Sequence, residues 1–272
     1  MPFENINDVS FFYYSTKHKE ALARMNYAVR QRKLGVLLTG EYGTGKTFLS
    51  RALKKLFSEE KYIFVFVTNP RLKPLEFIKE VHYQVGGKIE LETTPEKMDY
   101  LRSIQSSLEE YARKDMYVVL IIDEAQSIQE DDLLEEIRLL LNIQREDAVL
   151  FTLILLGQPQ LEERVTKVPQ LRQRLSIRYK LSSLSFEETR EYIEFRLRTA
   201  GSTRMIFTDD AFREIFFLSK GMPRAINNIC DLSLLSAFIA KKNVVDKDTV
   251  IHVGEDLGET SSPEEKDNAN PV

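Results

Sequence analysis

Short, continuous runs of apolar residues alternate, before residue 181, with segments whose apolar residues recur every three or four positions. The clearest runs cover residues 34–39, 62–67, 117–122 and 148–156. Runs of this length are typical of strands buried on both faces of a parallel sheet, and the spacing of three and four is typical of amphipathic helices. Five strand-like runs separated by helices predict an α/β fold with a doubly wound, parallel, five-stranded sheet.

Beyond residue 181 the strand pattern stops and only helical spacing remains. Ser185 and Glu188 form the sequence of a capping box, and Asp246 is a candidate cap of a last helix. The helices predicted in this region cover 186–199, 211–219, 223–240 and 247–253. The acidic, polar residues that follow contain no aromatic side chain and predict a disordered tail. The predicted domains are an α/β domain over 1–181, a small all-helical domain over 182–253 and the tail over 254–272.

The stretch from Gly40 to Thr47 reads Gly-x-x-x-x-Gly-Lys-Thr and joins a predicted strand to a predicted helix. Its glycines let the backbone turn several N–H groups inward into an anion-binding concavity, to which the positive end of the next helix adds. Lys46 can reach the terminal phosphates of a nucleotide, and the Thr47 hydroxyl can hold Mg²⁺. The nucleotide-binding residues predicted here are Gly40, Tyr42, Gly43, Thr44, Gly45, Lys46, Thr47 and Phe48.

Two acids, Asp123 and Glu124, follow the apolar run 117–122 directly. The carboxyl end of a parallel strand opens on the ligand crevice of a doubly wound sheet, so both acids are expected beside the phosphate loop. We predict that Asp123 holds the Mg²⁺ shell and that Glu124 orients and deprotonates an attacking water. A strand-end acid that only caps the next helix is the alternative.

Gln158 and Arg224 are further candidates for contact with the nucleotide. Gln158 follows the run 148–156, where an amide can sense a γ-phosphate or a water; an ordinary turn amide is the alternative. Arg224 follows Pro223 in a predicted first helical turn, where a cation opposes the helix dipole. Phosphate binding would explain this unfavourable placement, and a solvent-facing side chain is the alternative.

The residues 171–180 carry four positive charges, from Arg172, Arg174, Arg178 and Lys180. Three interpretations stay open: a solvated basic face, a nucleic-acid patch, or an arginine finger inserted into the ATP site of a neighbouring subunit.

The first sixteen residues are too rich in aromatic side chains to predict a disordered tail. Those side chains are Phe3, Phe11, Phe12, Tyr13 and Tyr14. Packing on the core and lining of an adenine pocket are the two interpretations.

Composition narrows the functional classes only slightly. Of 272 residues, 29% are charged and 43% hydrophobic, and the net charge of −4 makes no general demand for nucleic acid. The single cysteine, Cys230, excludes an internal disulfide and is expected to be a buried thiol. No run approaches the length of a membrane span, and the beginning lacks the pattern of a signal peptide, so we expect a cytoplasmic protein.

These motifs together resemble those of the AAA+ ATPases, and most of all the general-secretion-pathway protein A (ExeA-type) group, which is similar to the transposition ATPases. The stretches that carry the resemblance are 15–22, 38–47, 122–126, 156–161 and 221–227. The resemblance implies a P-loop NTPase fold with a helical lid, and it assigns Lys46 and Thr47 to Walker A and Asp123 and Glu124 to Walker B. It also places Gln158 at the first sensor and Arg224 at the second.

By the same resemblance the arginine finger is Arg172, Arg174 or Arg178, with Arg174 favoured, and ATP drives assembly of a ring or filament. ExeA-type proteins commonly continue into a membrane span and a peptidoglycan-binding domain, for which this sequence has no matching stretch. We therefore expect a Mg²⁺-dependent ATPase that self-associates and remodels or recruits an unidentified protein partner in secretion or pilus assembly. The alternative is a regulator of the transposition type that forms ATP-dependent filaments on double-stranded DNA, which the basic stretch 171–180 favours.

Overall fold

The computed structural model describes residues 2–4, 9–57, 61–88, 95–129, 131–145 and 148–259. The chain divides into two compact units. One unit is Thr16–Leu181; the other begins at Ser182 and includes the N-terminal residues up to Ser15. None of the helices in the described ranges is long and apolar enough to cross a bilayer.

The unit Thr16–Leu181 alternates helices and strands. Its elements are α1 (Thr16–Arg30), β1 (Gly35–Gly40), α2 (Lys46–Leu56), β2 (Tyr62–Val67), α3 (Pro74–Gln84), α4 (Lys97–Arg113), β3 (Tyr117–Ile122), α5 (Asp131–Leu140), β4 (Gln144–Arg145), β5 (Ala148–Val149), β6 (Phe151–Gly157), α6 (Gln160–Thr166), α7 (Pro169–Arg174) and β7 (Ile177–Leu181). The strands β2, β3, β6, β1 and β7 form, in that order, a five-stranded sheet whose neighbours are all parallel. The predicted doubly wound sheet is therefore confirmed.

The three central strands, β1, β3 and β6, are buried at every residue. Their predominantly apolar sequences suit the middle of a sheet that is covered on both faces. Helices α3, α4 and α5 contribute residues such as Phe77, Ile104 and Leu134 to the core that covers them. The register pairs Thr39 with Gly157 and Ile122 with Leu155. The carboxyl ends of these strands therefore meet at one edge of the sheet, and the polar residues that follow each strand lie close together there.

One predicted strand of this unit has different bounds in the structure. The run 148–156 divides at Leu150, because Ala148–Val149 pairs with Gln144–Arg145 in a separate antiparallel hairpin before β6 begins. The basic stretch 171–180 covers the end of α7, a short helix that Pro169 begins, and most of β7. The sequence also predicts a helix over 95–113 with Thr94 as a candidate cap, and Thr94 lies outside the described residues.

The other unit contains four α-helices within its described residues: α8 (Phe186–Thr199), α9 (Asp209–Ser219), α10 (Pro223–Ile239) and α11 (Lys247–Asp256). Their buried core includes Ile193, Ile215, Ile229 and Cys230, and complete burial raises the pKa of the Cys230 thiol. A single parallel bridge joins Phe207 to Val245. The helix α11 continues to Asp256, so the predicted boundary at 253 was too early; from residue 260 onward, the predicted tail lies outside the described residues.

The prediction that residues 1–15 belong to the α/β domain was wrong. Phe3 is 1% exposed within the core of the helical unit, and its ring packs edge-on against Phe207. Arg196 of α8 donates to the carbonyl oxygens of Pro2 and Glu4, at 2.5 and 2.9 Å. The N-terminal segment belongs to the helical unit because the Phe3 ring is buried in its core and the buried Arg196 guanidinium binds the backbone beside Phe3.

Candidate nucleotide-binding site

The loop between β1 and α2 presents backbone N–H groups at the carboxyl edge of the sheet. Gly45 is the residue before α2 and has a left-handed backbone, with φ 93°, which side chains with a Cβ rarely adopt. No side chain caps the first turn of this eleven-residue helix, and the turn contains no acid. The donors and the positive dipole at the start of α2 are therefore arranged to bind an anion.

Lys46, the first residue of α2, has its ammonium group folded over the loop. Its Nζ donates to the carbonyl oxygens of Gly40 and Glu41, at 2.8 and 3.0 Å. The residue is 5% exposed, and burial lowers its pKa, an effect opposed by the charges of Glu124, Asp123 and Glu41. A buried cation held by carbonyls rather than by a paired carboxylate is suited to exchange these partners for phosphate oxygens.

Thr47 and Asp123 are in direct contact, although 76 positions separate them in sequence. The Thr47 hydroxyl donates to Asp123 Oδ2 at 2.7 Å, and Oδ1 accepts from the Glu124 backbone N–H at 2.9 Å. Asp123 is 4% exposed; burial raises its pKa, while these two hydrogen bonds act in the opposite direction. A hydroxyl and a buried carboxylate at this separation supply two hard oxygen ligands of the kind that Mg²⁺ prefers.

Glu124 occupies a left-handed backbone conformation, with φ 52° and ψ 34°. This region is uncommon for residues other than glycine and is a known sign of functional strain. The Glu124 carboxylate accepts from Gln126 Nε2 at 2.6 Å, and Gln126 Oε1 accepts from the backbone N–H of Gln158 at 3.0 Å. The structure thus brings the predicted base and the predicted sensor loop together through a third residue.

Two residues of this site were missed by sequence reasoning. Gln126 ends the stretch 122–126, which carries the family resemblance, and its place two residues after Glu124 was a usable signal. His18 lies on the apolar face of α1 with Ala21 and Met25, and its Nε2 is 2.8 Å from the Thr44 carbonyl oxygen. That apolar spacing predicts burial but not a contact with the phosphate loop.

The remaining predicted residues differ in their exposure and in the elements that they contact. Tyr42 is 55% exposed and Phe48 is half-buried. Arg174 donates to the Arg138 carbonyl oxygen of α5 at 2.7 Å and also contacts the Asn142 side chain.

The other three arginines considered from the sequence have exposed side chains. Arg172 lies on α7, and Arg178 lies on the edge strand β7. Arg224 is the second residue of α10 and belongs to the helical unit.

The sequence is similar to known proteins over most of its length. The profile of the AAA domain family matches residues 29–165. General secretion pathway protein A of Aeromonas hydrophila is 35% identical over 246 residues, which are 87% of this chain and 43% of that protein. The chain therefore spans less than half the length of this curated relative.

Solved structures show a similar fold at low sequence identity. Cdc6p from Pyrobaculum aerophilum matches with a TM-score of 0.71 and 18% identity, over 93% of this chain and 71% of that one. The ORC2 protein of Aeropyrum pernix, in ADPNP and ADP complexes, gives 0.66 and 15%, over 94% and 71%. The RuvB Holliday junction branch migration motor of Thermotoga maritima gives 0.58 and 18%, over 88% and 68%.

Proposed function

The chain belongs to the AAA domain family, as an AAA+ ATPase of the general secretion pathway protein A type, and we propose that it hydrolyses ATP with Mg²⁺ to remodel or recruit a protein partner. The observation that carries the proposal is the convergence of Lys46, the Thr47–Asp123 pair and Glu124 at the carboxyl edge of the sheet. This set supplies a cation that can bind phosphate oxygens, two metal ligands and a base within one site.

The start of α2 and the Lys46 ammonium are proposed to bind the β- and γ-phosphates. The support is that the first turn of α2 lacks a side-chain cap and that Lys46 already lies over the loop. An anion bound there would satisfy backbone donors and would also place negative charge beside the buried ammonium.

Thr47 Oγ1 and Asp123 Oδ2 are proposed to face the metal ion. The donor set fits Mg²⁺, because a hydroxyl and a carboxylate from two different elements already lie 2.7 Å apart. When bound, Mg²⁺ would neutralise the charge that develops on the phosphate oxygens. Burial raises the pKa of Asp123, so the charge of a bound metal ion would stabilise the ionised form of this side chain.

Glu124 is proposed to accept the proton of the attacking water. Its Oε2 is engaged by Gln126, which leaves Oε1 as an acceptor.

Gln158 and Arg224 are proposed as the two sensors of the γ-phosphate. The arginine finger of an assembled ring is proposed to come from Arg172 or Arg178, whose side chains are exposed, because Arg174 is held against α5.

The proposal is tested by separating nucleotide binding from turnover. Calorimetry should show that wild-type protein and Glu124→Gln bind ATP with Mg²⁺ to a similar extent, while Lys46→Ala binds at least about a hundredfold more weakly. Glu124→Gln should hydrolyse ATP at least about a hundredfold more slowly than wild type. Folded wild-type protein that gives no heat with ATP and Mg²⁺, or equal turnover by wild type and Glu124→Gln, would reject the catalytic assignment.

Self-association is proposed to use an apolar face of α10. Leu232, Leu235, Phe238 and Ile239 recur at helical spacing and are 36%, 53%, 80% and 71% exposed. A continuous apolar face of this kind is a common mark of a protein interface. Sizing with and without ATP should show an assembly that Phe238→Ser weakens and that Tyr83→Ser, equally exposed on α3, leaves unchanged. A protein that stays monomeric with and without ATP would contradict the proposed self-association.

The partner is proposed to be a protein of a secretion or pilus assembly, because the curated relative is named for the general secretion pathway. The proposed location is the cytoplasm, because ATP is available there. An affinity experiment with Glu124→Gln, which should hold ATP without turning it over, tests the proposal. If wild-type protein without ATP captured the same partner to the same extent, recruitment would not depend on ATP, contrary to the proposal.

A DNA-dependent ATPase is the second candidate function. The exposed side chains of Arg172, Arg178 and Lys180, which lie close together in sequence on α7 and β7, favour it. Binding through such contacts would weaken steeply with salt. An ATP-dependent shift of duplex DNA that Arg172→Ala and Arg178→Ala weaken would support this function, whereas no binding at low salt would eliminate it.

A further inference from the structure

Gln126 connects two parts of the site that the sequence treats separately. Its side-chain amide lies between the Glu124 carboxylate, 2.6 Å from Nε2, and the backbone N–H of Gln158, 3.0 Å from Oε1. The first partner accepts and the second donates, so the two contacts together fix the orientation of the amide. Among the common side chains of this length, only glutamine offers one donor and one acceptor in this geometry.

The end of β6 is shaped to admit this side chain. A Cβ at Gly157 would lie 3.0 Å from Gln126 Oε1, 3.2 Å from the Gln126 backbone nitrogen and 2.6 Å from Leu161 Cδ2. The bare glycine therefore lets the short helical turn Ala125–Ser127 approach the strand closely enough for the amide to reach the Gln158 N–H.

The position of Glu124 also needs such support. Its left-handed backbone is a conformation that a glutamate adopts only when neighbouring contacts hold it. The bond from Gln126 occupies Oε2 and restricts the rotation of the carboxylate, while Oε1 remains able to accept a proton.

From this geometry we infer that Gln126 is a positioning residue, which holds the Glu124 carboxylate in its catalytic orientation and ties it to the loop that carries Gln158. The inference rests on the proposed ATPase function. It adds that the base and the γ-phosphate sensor move as one body, because the same amide bonds to both. Loss of the amide should slow turnover without weakening ATP binding, since Gln126 touches neither Lys46 nor the start of α2 in the contacts described above.

The first experiment measures ATP turnover, ATP affinity and thermal stability for Gln126→Ala. Turnover should fall about tenfold, while ATP affinity stays within about twofold and the melting temperature within a few degrees of wild type. The matched control is Gln129→Ala, an exposed glutamine three positions later, which should match wild type in all three measurements. Unchanged turnover of Gln126→Ala, or a loss of ATP affinity as large as the loss of turnover, overturns the inference.

Gln126→Glu separates the two hydrogen bonds and does not depend on the stability of the alanine variant. This variant keeps an acceptor for the Gln158 N–H but places a second carboxylate against Glu124. Its turnover should fall at least as far as that of Gln126→Ala. Wild-type turnover would show that the donor to Glu124 is dispensable and would overturn the inference.

A double variant tests whether Gln126 acts through Glu124. In single-turnover assays, Glu124→Gln and Glu124→Gln with Gln126→Ala should have the same residual rate within about twofold. A further tenfold loss in the double variant would show that Gln126 acts independently of Glu124, contrary to the inference. Absence of turnover in the wild-type protein would instead reject the proposed ATPase function, so the two failures are distinguishable.

Discussion

Lys46 is the residue at which function and stability are most clearly opposed. Its ammonium is buried, its pKa is lowered chiefly by that burial, and its hydrogen-bond partners at the loop are carbonyl oxygens. A buried cation without a directly bonded carboxylate costs free energy of folding, which a bound phosphate would offset.

Lys46→Met is therefore expected to abolish ATP binding without destabilising the fold. Methionine fills a similar volume and removes the buried charge, so the free energy of unfolding should stay within about 1 kcal/mol of wild type or rise. Denaturant unfolding measured beside ATP calorimetry checks both parts.

Lys54→Met is the matched control, because Lys54 is exposed on the same helix. It should leave ATP affinity unchanged. A loss of several kcal/mol of stability in Lys46→Met would show that the ammonium holds the loop together even without a ligand.

At the scale of single residues, the sequence predicted which side chains meet at the edge of the sheet where residue type and strand position sufficed. Lys46, Thr47, Asp123 and Glu124 follow strands at positions that place them at one edge of any parallel sheet. The contact of His18 with the loop and the bridge through Gln126 depend on rotamers and on the approach of separate elements, which no local pattern encodes.

At the scale of the element, Asp246 caps the start of α11. Its side chain accepts from the Thr249 N–H at 3.0 Å and from Lys242 Nζ at 2.7 Å, and the bonds from Lys242 and Thr249 hold its pKa well below the usual range. Because the pKa in the folded state is lower than in the unfolded chain, this carboxylate stabilises the fold above the unfolded pKa of about 3.9. The stabilisation is lost as the pH falls through the lower, folded value.

Asp246→Ala should thus lower the free energy of unfolding by about 1 kcal/mol at pH 7. The difference from wild type should shrink as the pH is lowered below about 4. Unfolding followed at several pH values checks this.

Asp248→Ala, which removes an exposed acid from the first turn of the same helix, should cost only about 0.3 kcal/mol. A constant difference between wild type and Asp246→Ala down to low pH would contradict a role for the ionised carboxylate.

Gly221 fixes the turn before α10. Its φ is +71°, and an added Cβ would lie 2.1 Å from the Leu184 carbonyl oxygen, beside the hydrogen bond from the Leu184 N–H to the Gly221 oxygen. The turn therefore demands glycine both for its backbone angle and for space.

Gly221→Ala is expected to lower the free energy of unfolding by more than about 3 kcal/mol, because backbone strain and overlap with a carbonyl combine. Gly201→Ala isolates the strain alone, since its φ is +90° and nothing lies within 4 Å of the added Cβ. It should cost only about 1 kcal/mol. Equal losses in denaturant unfolding would show that the turn relaxes around the methyl group.

At the scale of the whole molecule, the N-terminal residues are part of the helical unit. Phe3 fills its core, and the Arg196 guanidinium ties the backbone on either side of Phe3 to α8. A segment distant in sequence therefore contributes to the stability of α8 to α11.

Phe3→Ala should reduce the protection of the α8 to α11 amides in hydrogen exchange by about 3 kcal/mol, since it empties a buried aromatic site. Met205→Ala is the control, because this apolar side chain of the same unit is 67% exposed, and the change should be within about 0.5 kcal/mol. Equal protection in wild type and Phe3→Ala would mean that the segment is not bound in solution.

The sequence by itself determined the alternation of strands and helices, the helical character of the C-terminal region and the identity of the phosphate loop with its two acids. These features depend on periodicity and on residue types within a few positions, which local backbone geometry imposes wherever the chain lies. The tertiary structure alone decided that Gln126 bridges Glu124 to Gln158, that Arg174 turns to α5 and that Phe3 joins the helical core. Each of these outcomes depends on which distant surfaces meet and which rotamers then pack best, and those choices are settled only when the elements assemble.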